Sequence, residues 1–214
     1  MRRVVVTGLG AVTPLGCGVE HSWDALIKGV SGADIISKFD PSQFATKYAC
    51  EIEYGDGSNG SFNPDDWMEK KDQRKVDPFI LYGIAAAKQA ILDSEWVVSN
   101  ENDRVRTGVI VGSGIGGLGS IADAAILLKE RGPRRISPFF IPGALVNLVS
   151  GQISIEHGYK GPNHAVSTAC ATGAHSIGDA ARLIMFDDAD VMIAGGAESP
   201  ITEIGIAGFN ACKA

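Results

Sequence analysis

Four short apolar runs carrying β-branched residues, at 4–7, 109–111, 164–168 and 191–194, recur along the chain with helical stretches between them. Runs this short suit strands buried on both faces, and connections long enough to hold a helix imply parallel crossovers. The fold class is therefore α/β, with a mostly parallel central sheet and helices packed against it. Helices are predicted over 22–28, 78–94, 120–130, 143–155 and 172–186. In the second of these Ile80, Ile84, Ala87 and Ile91 recur at three and four residues, the spacing of a helix that lies on a sheet. The 27 glycines gather after the apolar runs, at Gly8 and Gly10, from Gly112 to Gly119, and at Gly195 and Gly196, which marks tight turns and close backbone approach.

At 214 residues and 45% hydrophobic, the chain is long enough to bury a core, and no obvious interdomain linker divides it. A net charge of −6 argues against a general nucleic-acid footprint. No apolar run approaches the roughly 20 residues of a membrane-spanning helix, and residues 1–3 lead straight into a predicted strand rather than a signal segment. Cys17, Cys50, Cys170 and Cys212 are widely spaced, without a C-x-x-C pair, so neither a metal site nor a disulfide framework is expected. A soluble protein of a reducing compartment, the cytoplasm, fits best. The segment 56–66, rich in Gly, Asn, Ser and Asp, reads as an exposed loop.

Cys170 stands where a strand-favouring stretch, Val166 to Thr168, gives way to a helix-favouring one from Thr172. A thiol there faces uncapped N–H groups and the positive end of the helix dipole, both of which favour thiolate. The same N–H groups suit a developing oxyanion. Ala169, Ala171 and Gly173 keep its flanks small. Two readings stay open on these residues alone: a nucleophile, or a buried cysteine acting as a small hydrophobe.

Gly112, Gly114 and Gly117 form G-x-G-x-x-G, the pattern of a dinucleotide-binding turn. The acidic residue expected about 20 positions later is replaced by Arg134 and Arg135, so the loop is read instead as passing close to an active-site wall. Lys70, Lys71, Arg74 and Lys75 make one basic cluster and Arg134 with Arg135 a second, either solvated surface or a docking patch for an acidic partner. None of His21, His157, His164 and His175 sits in a metal or protease signature. His175, five residues past the thiol, is expected to lie over the helix rather than at the sulfur.

Taken in order, the segments at 4–16, 112–119, 133–140, 167–171 and 194–198 resemble the β-ketoacyl-[acyl-carrier-protein] synthases, most closely the elongating type II enzymes. The resemblance covers nearly the whole chain, apart from the loop at 56–66. It implies a thiolase-like fold, here its N-terminal half over 1–214 with the sheet incomplete at the C-terminal end, and assembly as a homodimer. It also implies that Cys170 takes an acyl group from carrier-protein phosphopantetheine, and that malonyl carrier protein then condenses with it after losing carbon dioxide. Ile115 and Phe140 match acyl-pocket residues, and Phe209 matches one in a gating turn. Lys70, Lys71, Arg74, Lys75, Arg134 and Arg135 match the carrier-docking region. Glu198 is given no role. No resident cofactor or metal is implied, and phosphopantetheine arrives with the substrate.

The family's two catalytic histidines, its lysine and its Gly-Phe-Gly segment match nothing here, so the chain alone is expected not to condense. The last residues, 209–214, fall inside a family motif. Two rival readings are a non-catalytic module for carrier binding or dimerisation, and a thiolase-like enzyme acting on coenzyme A esters.

Overall fold

The computed structural model describes residues 2–213; Met1 and Ala214, the two ends of the predicted span, lie outside the described residues. The chain forms two compact units. One comprises the chain up to Gly10, Pro78–Gly116 and Leu145–Glu198, and the other Ala11–Asp77, Gly117–Ala144 and the chain from Ser199 onward.

The first unit is built on a parallel sheet of three strands. Thr107–Gly112 is central, flanked by Asn163–His164 and by Val191–Gly196. All six residues of the central strand are buried, as its unbroken β-branched core Val109-Ile110-Val111 requires. Helix Leu148–His157 packs on this strand and on helix Pro78–Asp93, while helix Thr172–Met185 packs on the central strand and on Val191–Gly196. Helix Pro78–Asp93 buries Phe79, Ile80, Tyr82, Ile84, Ala85 and Ala87; of the predicted apolar stripe, Ile80, Ile84 and Ala87 are buried and Ile91 is half-buried.

Beyond Ile110 and His164 the ladder between the central strand and Asn163–His164 ends. There the buried Ser150 hydroxyl accepts the Val111 N–H at 2.7 Å and faces the carbonyls of Val111 and His164 at 3.1 and 3.0 Å. That hydroxyl satisfies backbone groups which the parting strands leave without ladder partners. At Gly112 a methyl group would overlap the Val166 carbonyl oxygen, so only glycine lets the two chains pass.

The second unit holds two short antiparallel pairs, Val12–Thr13 with Gly16–Cys17 and Asp34–Ile35 with Tyr48–Ala49. Its helices are Val19–Ile27, Lys70–Gln73, Leu118–Arg131, Phe140–Ala144 and Glu203–Ala211. Asp77 is buried. Its carboxylate accepts the hydroxyl of Ser120 at 2.7 Å in the first turn of Leu118–Arg131, and its N–H donates to Gly143 at 3.0 Å. The link holds the Phe140–Ala144 helix beside the start of the longer one.

Several expectations are corrected. Residues 4–7 form no strand: Val5 and Val6 are exposed, and the segment instead runs along helix Pro78–Asp93, with Gly8 and Gly10 pressed to the carbonyls of Ala90 and Ala86. β-Branched residues favour extended backbone, but a strand also needs a paired neighbour. The run at 164–168 pairs only through His164, because the chain then swings away to reach the Cys170 turn. The helix predicted over 143–155 is two helices. The Ala144 carbonyl that would continue the first accepts the Gly117 N–H instead, at 3.0 Å. The loop at 56–66 is exposed only in part, since Phe62 is fully buried with Tyr54 edge-on at 5.4 Å.

Candidate active site around Cys170

The nucleophile candidate sits on a single 3-10 turn, Ala169–Ala171, immediately before helix Thr172–Met185. Three local bonds fold the turn. The Thr168 N–H donates to the Thr172 hydroxyl at 2.8 Å, the Ala171 N–H donates to the Thr168 carbonyl at 3.2 Å, and the Thr168 hydroxyl pairs with His175 Nδ1 at 2.8 Å. Ala169 takes φ +51°, a left-handed conformation that costs an L residue about 1–2 kcal/mol. This left-handed residue turns the backbone immediately before Cys170. Cys170 is exposed, which removes the core-filler reading. Ala171 offers the helix no side-chain cap, and the Thr172 N–H donates to the Ala169 carbonyl, so the turn runs directly into the helix.

Opposite the turn runs the glycine loop. Cys170, Ala169, Thr172 and Gly173 line a cleft of about 390 Å³ together with Gly112–Ile115 and Gly196–Glu198. The loop, expected to pass close to an active-site wall, itself lines this cleft. Its conformation depends on Glu198, the residue that the sequence left without a role. One carboxylate oxygen accepts the N–H groups of Gly114 and Ile115 at 2.8 and 2.9 Å; the other accepts the Ser113 hydroxyl at 2.7 Å and the Gly116 N–H at 3.2 Å. The only sequence signal for this was a carboxylate two residues past a glycine pair at a strand end.

Ile115 therefore shares the cleft with Cys170. Phe140 and Phe209 belong to the second unit, Phe140 opening helix Phe140–Ala144 and Phe209 lying in Glu203–Ala211. The basic residues also belong to that unit. Lys70 pairs with Asp65 at 3.0 Å, Lys71 with Glu69 at 2.6 Å and Lys75 with Asp72 at 2.6 Å, while Lys75 also lies 5.2 Å from the Phe139 ring centre. Arg74 follows helix Lys70–Gln73, and Arg134 and Arg135 occupy the turn Pro133–Arg135. The paired lysines carry less free positive field than the sequence suggested.

The histidines take the places expected of structural residues. His157 stacks on Tyr159, and burial pushes its pKa down. His21 packs between Gly16 and Gly60, His164 ends a strand, and His175 meets the Thr168 hydroxyl rather than the thiol. Among the described residues no three His, Cys, Asp or Glu side chains group as metal ligands, and no helix is long and apolar enough to cross a membrane.

Comparison with known proteins places this geometry. The family model described as "Beta-ketoacyl synthase, N-terminal domain" matches residues 1–214. A relative from Rhizobium meliloti (strain 1021), 3-oxoacyl-[acyl-carrier-protein] synthase 2, is 59% identical over all of this chain and 51% of its own length. Among solved structures, the ishigamide ketosynthase/chain length factor superposes with a TM-score of 0.83 at 28% identity, covering 100% of this chain and 51% of that one. A type II PKS ketosynthase, solved in complex with its acyl-carrier protein and bound to the hexaketide, gives 0.77 at 26% identity, covering 98% and 54%. The architecture is thus thiolase-like, and the chain spans about half the length of the curated relative it matches. With a strained turn presenting a cysteine to a glycine-walled cleft, and a family match across every residue, this chain belongs to the β-ketoacyl synthases and carries their N-terminal domain.

Proposed function

We propose that this chain is the nucleophile-bearing part of a 3-oxoacyl-[acyl-carrier-protein] synthase of fatty acid biosynthesis. The observation that carries the reading is the exposed Cys170, set on its strained turn against the Ile115 wall of the cleft. Cys170 Sγ attacks the thioester carbonyl of an acyl carrier protein, the tetrahedral oxyanion collapses, and the phosphopantetheine thiol leaves with a proton while the acyl group remains on sulfur. Decarboxylation of malonyl carrier protein then supplies the carbanion that attacks this thioester. The second step needs donors and a proton carrier at the sulfur, and all four histidines here are engaged elsewhere or lie on other elements. Acyl transfer is therefore the step assigned to this chain.

Ile115, Phe140 and Phe209 would contact the acyl chain, and Arg74, Arg134 and Arg135, with Lys70, Lys71 and Lys75, would steer the acidic carrier. The reading includes a cytoplasmic homodimer with no resident cofactor, metal, membrane or nucleic-acid partner, on the strength of family membership. Incubation with dodecanoyl carrier protein tests it: intact mass should rise by one dodecanoyl group, removed by hydroxylamine and absent in Cys170→Ala. A chain that stays unacylated while it binds the carrier would support the docking-module alternative instead.

A further inference from the structure

We infer that Glu198 is a positioning residue for acyl recognition, holding the glycine loop so that Ile115 and the Cys170 turn form one groove; this rests on the reading of Cys170 as the acyl-accepting thiol. Four donors converge on its two oxygens: the Ser113 hydroxyl and the N–H groups of Gly114, Ile115 and Gly116. With both oxygens so engaged, neither is left to serve as acid or base at the sulfur, which separates a positioning role from a catalytic one. Ser113, itself buried, repeats the fastening by accepting the Gly116 N–H at 3.0 Å.

The loop so held bears directly on the nucleophile turn. A methyl group at Gly114 would lie 2.9 Å from Glu198 Oε2 and 3.1 Å from the Ala169 Cα, so the Gly114 backbone is fitted between the carboxylate and the strained residue that precedes Cys170. Ser167 also reaches the Gly114 carbonyl, at 3.5 Å. Left without an acceptor, the part-buried N–H groups of Gly114 and Gly116 would cost free energy, whereas that of Ile115 is exposed. A carboxylate is the side chain that meets all of them, being acceptor-only on both oxygens. Glutamine has the same shape but turns one acceptor into a donor, which faces either the Gly114 and Ile115 N–H groups or the Gly116 N–H.

The test compares alkylation of Cys170 by iodoacetamide and by N-dodecyl iodoacetamide in the purified protein, followed by peptide mass spectrometry. Iodoacetamide reads the thiol, and the ratio of the two rates reads the groove beside it. The wild-type protein should favour the dodecyl reagent. In Glu198→Gln the ratio should fall by about tenfold, the scale of one lost charge-assisted hydrogen bond, while the iodoacetamide rate changes far less. Ser113→Ala should lower the ratio in the same direction and decides the matter if Glu198→Gln does not fold by circular dichroism. A ratio unchanged in a folded variant overturns the positioning role. A wild-type protein with no preference for the dodecyl reagent overturns the acyl reading beneath it.

Discussion

Removal of the Ser150 hydroxyl should loosen the fork from which both walls of the cleft arise. Beyond Ile110 and His164 the strands part, one continuing to Gly112–Ile115 and the other to the Cys170 turn. In Ser150→Ala the Val111 N–H loses a 2.7 Å acceptor in a fully buried setting, and the carbonyls of Val111 and His164 lose their shared donor. A buried donor left unpaired costs about 1–3 kcal/mol. Only one oxygen atom is removed, so little cavity cost is added, and about 2 kcal/mol is the expected loss. For a chain of this size that lowers Tm by about 4–8 °C. Native-state hydrogen exchange locates the effect, because the Val111 amide should lose protection while Val109, which donates to Pro162 at 2.8 Å, keeps its own. A variant with wild-type Tm and undiminished Val111 protection would refute the account of the fork.

Three further outcomes are expected. Cys50, Cys170 and Cys212 are all exposed, so access alone predicts similar alkylation; faster iodoacetamide labelling of Cys170 near neutral pH would mark an activated thiol, and equal rates would count against one. Gly112→Ala drives its methyl into the Val166 carbonyl, where backbone rather than a flexible side chain must move, so urea unfolding should show a loss of about 1–3 kcal/mol or more. Asp190 is held well below the usual carboxylate range, first by Arg106 and then by Arg2, so its contribution is complete above the unfolded aspartate value of about 3.9 and fades as pH falls through the lower folded value. Asp190→Asn should accordingly show a shallower fall in Tm between about pH 5 and pH 2 than the wild type.

Much of this protein can be reasoned from residue order, for physical reasons that differ by element. The run at 109–111 is short, apolar and β-branched, as burial on both faces of a central strand selects, and the half-buried run at 191–194 pairs along it. The helices at 78–93 and 172–185 begin and end near their predicted bounds, since period and small-residue content are local properties. Cys170 stood out because a change of period and a thiol coincide there. Tertiary structure decided what depends on partners distant in sequence. Residues 4–7 have strand propensity but no paired neighbour, Ala144 gives its carbonyl to Gly117 and so ends a helix, and Glu198 acquires its role only when four donors more than 80 residues away arrive at its oxygens. Propensity and period are written in neighbouring residues, whereas a hydrogen-bond partner brought by the fold is not, and the cleft is made of such partners.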